Sequence, residues 1–151
     1  MSRSDPIQRG FSLIEVMIVL LLISLLAAAA VPFTAAWINS ADVHQATSQL
    51  EQAVRLAKAR ALRNAVEALD NQPAARLFHD PSSNQVRVCQ NQLLNTDCTA
   101  VWWQTTLPNG VSLAFDAGAT QLAFNNRGTA TTGAVSYTLG KGNEELLGQV
   151  H

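Results

Sequence analysis

The chain has 151 residues, a net charge of −1 and charged side chains at only 14% of positions. That is room for one modest domain with appendages; no basic excess points to nucleic acid and no acidic run marks a tail. Two cysteines are too few for a disulfide scaffold, and they lack the paired four-ligand spacing of a zinc site. The apolar residues are concentrated near the N-terminus, and without residues 11–38 the remainder reads as an ordinary, rather polar chain.

The first predicted element is "RGFSLIEVMIVLLLISLLAAAAVP", Arg9 to Pro32. Between Val16 and Val31 the only polar residue is Ser24. At about 1.5 Å per residue, a helix from Phe11 to Val31 reaches roughly 30 Å, the hydrocarbon thickness of a bilayer. Arg3 and Arg9 precede the run, and no Lys or Arg follows until Arg55. The positive-inside rule therefore keeps the N-terminus in the cytoplasm and sends the rest across. Two plain readings are a secretory signal peptide, with small residues at Ala28, Ala29 and Ala30, and a simple single-span anchor. Neither accounts for Glu15, an acid whose place at a bilayer centre would cost on the order of 2.5–3.5 kcal/mol.

These residues resemble the class III leader of type IV pilins and type II secretion pseudopilins. The resemblance implies a basic leader of residues 1–10, cut after Gly10 by a membrane prepilin peptidase, and N-methylation of the new first residue, Phe11. It places Glu15 fifth in the mature chain and Pro32 where the family often has a helix-loosening proline. The chemistry is self-consistent. The freed amine of Phe11 and the carboxylate of Glu15 lie one helical turn apart, and an acid near a helix N-terminus gains from the dipole. That pairing makes insertion tolerable for a free subunit. The resemblance adds a role in assembly, in which Glu15 attracts the amine of a neighbouring subunit and sets axial register. In low dielectric such a pair is worth far more than in water. Pro32 has two readings: proline simply tolerated in lipid, or a weak point where the lost N–H leaves the Ala28 carbonyl without its partner.

The second predicted element, residues 39–70, is an amphipathic helix continuing the first from Phe11 to about Leu69, roughly 85–90 Å in all. Ala46, Leu50, Val54, Ala57, Ala61 and Ala65 recur at three- and four-residue steps on one face. Asn71 and Pro73 are the expected stop. Arg55, Lys58, Arg60 and Arg63 form the only basic cluster. It reads as a solvated helix face or as a basic contact face for an acidic neighbour or nucleic acid, and no aromatic residue interleaves it as a stacking platform would require.

Residues 71–151 change to short alternating segments separated by "DPSSN", "PNG", "DAG", "NNRG" and "GKGN". The expected strands are Ala75–Phe78, Gln85–Cys89, Val101–Thr106, Val111–Phe115, Gln121–Phe124, Ala134–Leu139 and Leu146–Val150, making an antiparallel β domain covered by the helix stripe. Trp102 and Trp103 alternate across a strand, so one is expected in the core and the other exposed or at a subunit contact. "FNNRGTAT" and "RLAKARALRN" resemble the GspH/FimT branch of the same family. Many members end in a basic strand and some bind DNA there; the end here, "LLGQVH", lacks that Arg. For a body in the oxidising periplasm, Cys89 and Cys98 read as a disulfide worth roughly 2.5–3 kcal/mol, or else as two buried thiols.

Catalytic chemistry is not evident. His44, His79 and His151 have no metal-ligand spacing, no cofactor motif is present, and Asp80 beside His79 precedes Pro81 as in a surface turn. The expectation is an α+β, pilin-like fold with a long N-terminal helix packed on the β domain. The protein would be structural: a minor pilin in the tip or initiation complex of a type IV pilus, or else the H-type pseudopilin of a type II secretion system. A DNA receptor is the less favoured alternative. No metal or cofactor is expected. The implied partners are the membrane, other pilins, the peptidase and an inner-membrane assembly platform. The implied location is the bacterial inner membrane, single-pass with a periplasmic C-terminal domain, and then the pilus or pseudopilus.

Overall fold

The computed structural model describes residues 11–90, 98 and 100–151. The leader with Gly10, and the loop 91–97 between the cysteines, lie outside the described residues. The chain divides into two units, Met1–Trp37 and Ile38–His151. One helix, α1 (Leu13–Arg63), contributes to both. In the first unit its apolar side chains from Phe11 to Ala30 are exposed on every face. This is what continuous apolarity without a helical period predicts for a helix that has no protein partner in the monomer.

In the second unit α1 has an inner and an outer face. Val43, Ala46, Leu50, Ala53, Ala57 and Ala61 are buried, spaced three or four residues apart. Val54 is half-buried and packs on the core, whereas Ala65 is exposed, so the stripe differs from the expected one at Ala65. Ala65 drops out because the helix stops at Arg63, earlier than Leu69. Asn64 adopts φ 44° and takes the left-handed position that ends helices, where Asn is second only to Gly. Its side chain closes the end twice: Oδ1 accepts from the Ala68 N–H at 2.7 Å, and Nδ2 donates to the Ala68 carbonyl at 3.0 Å.

Among the described residues seven strands follow: β1 (Pro73–Asp80), β2 (Gln85–Gln90), β3 (Val101–Thr106), β4 (Ser112–Phe115), β5 (Gln121–Asn125), β6 (Val135–Lys141) and β7 (Glu144–Val150). They form two antiparallel sheets, ordered β3-β2-β1-β5 and β4-β6-β7. The fold class is α+β. The helix stripe shares one core with Leu77, Val86, Val88, Leu122 and Phe124 of the first sheet and with Leu113, Phe115 and Leu139 of the second. Fully burying side chains of this size stabilises by about 1.5–3 kcal/mol each.

Three polar clamps fix the second unit. Lys141, at the end of β6, forms a half-buried ion pair with Asp42 of the helix. At the end of β5, where the next turn begins, Asn125 is buried, and its Oδ1 accepts from the Arg127 N–H, the Thr129 N–H and the Thr129 hydroxyl. That turn reaches the segment after the helix, with Asn126 donating to the Ala68 carbonyl and Arg127 paired with Asp70. Asn84, at φ 51°, closes the β1–β2 hairpin and donates to the Val111 carbonyl at 2.9 Å, tying the hairpin to the approach to β4.

Candidate functional site: a carboxylate in the first turn of an apolar helix

Glu15 lies in the first turn of α1. The first backbone bond there runs from the Val16 N–H to the Ser12 carbonyl at 3.2 Å. The remaining N–H groups of the first turn have no intrahelical acceptors, so the carboxylate sits where the helix dipole favours a negative charge. Phe11 is 83% exposed, and the shallow cleft of about 260 Å³ beside it is lined by Phe11, Glu15, Val16, Val19 and Leu20. The carboxylate thus opens onto an otherwise wholly apolar surface. Two hydroxyls further along the apolar run are satisfied within the helix. The Ser24 hydroxyl donates to the Leu21 carbonyl at 2.8 Å, and the Thr34 hydroxyl to the Ala30 carbonyl at 3.1 Å. Such back-bonding is how hydroxyls are tolerated in lipid. Glu15 has no equivalent intrahelical partner and needs a cation from elsewhere. Pro32 lies inside α1, which continues past it.

The basic cluster does not form one face. Arg55 pairs with Glu51 at 3.2 Å, and with Lys58 it lines a cleft of about 200 Å³ beside Tyr137, Gln149 and His151. Arg60 lies on the opposite flank of the helix, its guanidinium 5.2 Å from the Trp102 ring centroid. Arg63 falls in the last helical turn, where a cation complements the dipole. The aromatic neighbour that spacing along the helix alone did not supply comes from β3.

Trp102 and Trp103 are both half-buried and both pack on the core, so the expectation of one inside and one outside is corrected. The cause is a β-bulge. Val101 pairs with Cys89 and Trp103 with Val88, which leaves Trp102 as the extra residue and breaks strict alternation. Cys89 and Cys98 form a disulfide with their Cα atoms 5.5 Å apart.

His79 is also corrected, because it is not in a surface turn. Strand β1 runs on to Asp80, and His79 is buried with its ring edge-on to Phe115. The turn begins only at Pro81, where the Asp80 carboxylate accepts from Ser82 and Ser83. These bonds hold Asp80 at a pKa of about 2. Burial lowers the His79 pKa, opposed by the neighbouring Asn84 side chain and by the charge of Asp80. Its Nε2 has no partner. Among the described residues no three His, Cys, Asp or Glu side chains converge as a metal site.

Residues 6–31 match the family model described as the prokaryotic N-terminal methylation motif. No curated protein matches the chain. The fold is similar to the type IV minor pilin FimU of Pseudomonas aeruginosa strain PAO1, at 12% identity and TM-score 0.44 over 68% of this chain and 82% of that one. It is also similar to the minor pseudopilin EpsH of the type 2 secretion system of Vibrio cholerae, at 19% identity and TM-score 0.44 over 70% of this chain and 85% of that one. The match that bears on chemistry is the motif, because it covers Phe11, Glu15 and the apolar run.

Proposed function

We propose that this chain, which carries the N-terminal methylation motif, is a minor pilin of a type IV pilus or the equivalent minor pseudopilin of a type II secretion machine. It is stored in the inner membrane with its β domain in the periplasm. A prepilin peptidase cuts it between Gly10 and Phe11, the new amine is methylated, and an inner-membrane platform feeds the subunit into a helical fibre. The observation that carries this reading is Glu15, the one carboxylate on an exposed apolar helix, four residues from the motif's new N-terminus. A methylated amine stays cationic. In the stored subunit the nearest cation is the Phe11 amine of the same chain; in the fibre it is the amine of a neighbour. Exchanging one for the other keeps the carboxylate neutralised while the helix leaves lipid. Pro32 then supplies the place where the helix yields as it packs among other helices, having no N–H to hold the Ala28 carbonyl.

Nucleic-acid reception draws no support from the arrangement of the basic residues. Arg55 is neutralised by Glu51, Arg60 stacks on Trp102, and the two lie on different flanks of the helix, whereas tracking a phosphate backbone needs a continuous cationic groove.

The test is Glu15→Ala. The variant inserts in the inner membrane as well as the native chain, because removing a charge eases insertion, but it is missing from sheared fibres or from crosslinked pseudopilus complexes. Incorporation at the native level would overturn the register role of Glu15.

A further inference from the structure

The apolar helix of the first unit has a second end, and it closes on a tryptophan. The run continues past Val31 to Trp37, after which Asn39, Ser40 and Asp42 restore polarity. Trp37 is 82% exposed, more than any other large apolar side chain among the described residues of the run except Phe11. An indole joins a large apolar body to a single N–H donor, and this combination favours the boundary between headgroups and acyl chains. The spacing fits that location. Along a regular helix Phe11 and Trp37 are about 39 Å apart, more than the roughly 30 Å hydrocarbon layer and close to the 40–45 Å that includes both headgroup regions. With the Phe11 amine in one headgroup layer, the indole reaches the other. Nothing else in the sequence can hold that end. No Lys or Arg that could snorkel to the surface occurs between Arg9 and Arg55, and the only tyrosine is Tyr137.

We propose that Trp37 is a lipid-binding anchor seated at the headgroup–acyl boundary of the leaflet opposite the N-terminus, and that it fixes the depth at which the subunit is stored. The proposal rests on the membrane-stored state of the proposed function and deepens it. Two stops position the helix. Glu15 resists being drawn into hydrocarbon from one side, and the indole resists leaving its boundary on the other. Glu15 and Trp37 are about 33 Å apart along the axis, so the hydrocarbon layer just fits between them. The carboxylate is thereby kept at the hydrated edge, where an incoming amine can reach it. Assembly must pull the indole out of its boundary.

The experiment uses the full-length chain in vesicles of phosphatidylethanolamine and phosphatidylglycerol, with bromine placed on the lipid chains either near the glycerol or near the methyl ends. The signal of Trp37 is the difference in fluorescence between the native chain and Trp37→Phe. That exposed site lets the variant fold, and it leaves Trp102 and Trp103 as the common background. The proposal predicts a difference spectrum blue-shifted from that of an indole in water, and quenched more by shallow bromine than by deep bromine. A water-like, unquenched difference spectrum overturns it, and so does stronger quenching by deep bromine. A second chain, Trp102→Phe with Trp103→Phe, leaves Trp37 as the sole fluorophore and must give the same depth order. The result is separable from the assembly reading. Shallow quenching in a chain whose native N-terminus is not Phe11 would sink assembly and leave the anchor standing. A methylated Phe11 with an unquenched Trp37 would do the reverse.

Discussion

A carboxylate on an exposed apolar helix and a core imidazole pose opposite electrostatic problems in this chain. Glu15 lies on an apolar surface and is useful charged; His79 lies in the core and is held neutral. Burial lowers the His79 pKa below its ordinary value of 6.5. The unfolded chain therefore takes a proton first as the pH falls through 6.5, and folding is destabilised from there down to the folded-state value. Above 6.5 both states are neutral and the effect vanishes. Denaturant midpoints of the second unit's unfolding should fall between pH 7.5 and 5.5 in the native chain and stay level in His79→Gln. A native midpoint that does not move would show that the imidazole is not kept neutral. Neither the burial nor its consequence was legible in the sequence. The Asp80-Pro81 pair announces a turn, and nothing local shows that β1 carries pairing up to Asp80 before the turn starts.

At the scale of elements, the strands were readable because period-two alternation and turn residues act locally. All seven lie where the pattern put them, give or take one or two residues at the ends. What sequence missed were events decided by a single residue's backbone. Asn64 in the left-handed region stops α1 before the stronger-looking Asn71 and Pro73 signals, and one extra residue at Trp102 turns two tryptophans onto the core. Gly148 was missed for a different reason. It stands opposite Tyr137 in the β6–β7 ladder, and a methyl placed there would overlap the ring and its hydroxyl. Its backbone is ordinary for a strand, so the glycine is present for space rather than for conformation. Gly148→Ala should destabilise the second unit by about 1–3 kcal/mol, the range for overpacking a filled site. Urea unfolding checks it, and an unchanged midpoint would mean that the ring moves aside at no cost.

At the scale of the molecule, composition and one motif revealed more than the β domain did. The apolar run and the Gly-Phe-Glu register carry the proposed reading of a stored, processed and assembled subunit, and the residues they involve fall within residues 6–31, which match the methylation motif. Other whole-molecule features could not be read from sequence because distant residues meet only on folding. Lys141 finds Asp42 across 99 positions, the turn at Asn126 and Arg127 meets Ala68 and Asp70, and the apparent basic cluster divides between two flanks of a helix. The proposed function rests on a cation appearing within one turn of Glu15, and processing at Gly10 would supply it. The most direct test is the mass of the N-terminal peptide of the protein isolated from its native membrane. A peptide beginning at Phe11 and heavier by one methyl group is the predicted result; a chain that keeps residues 1–10, or begins after Ala30, would contradict it.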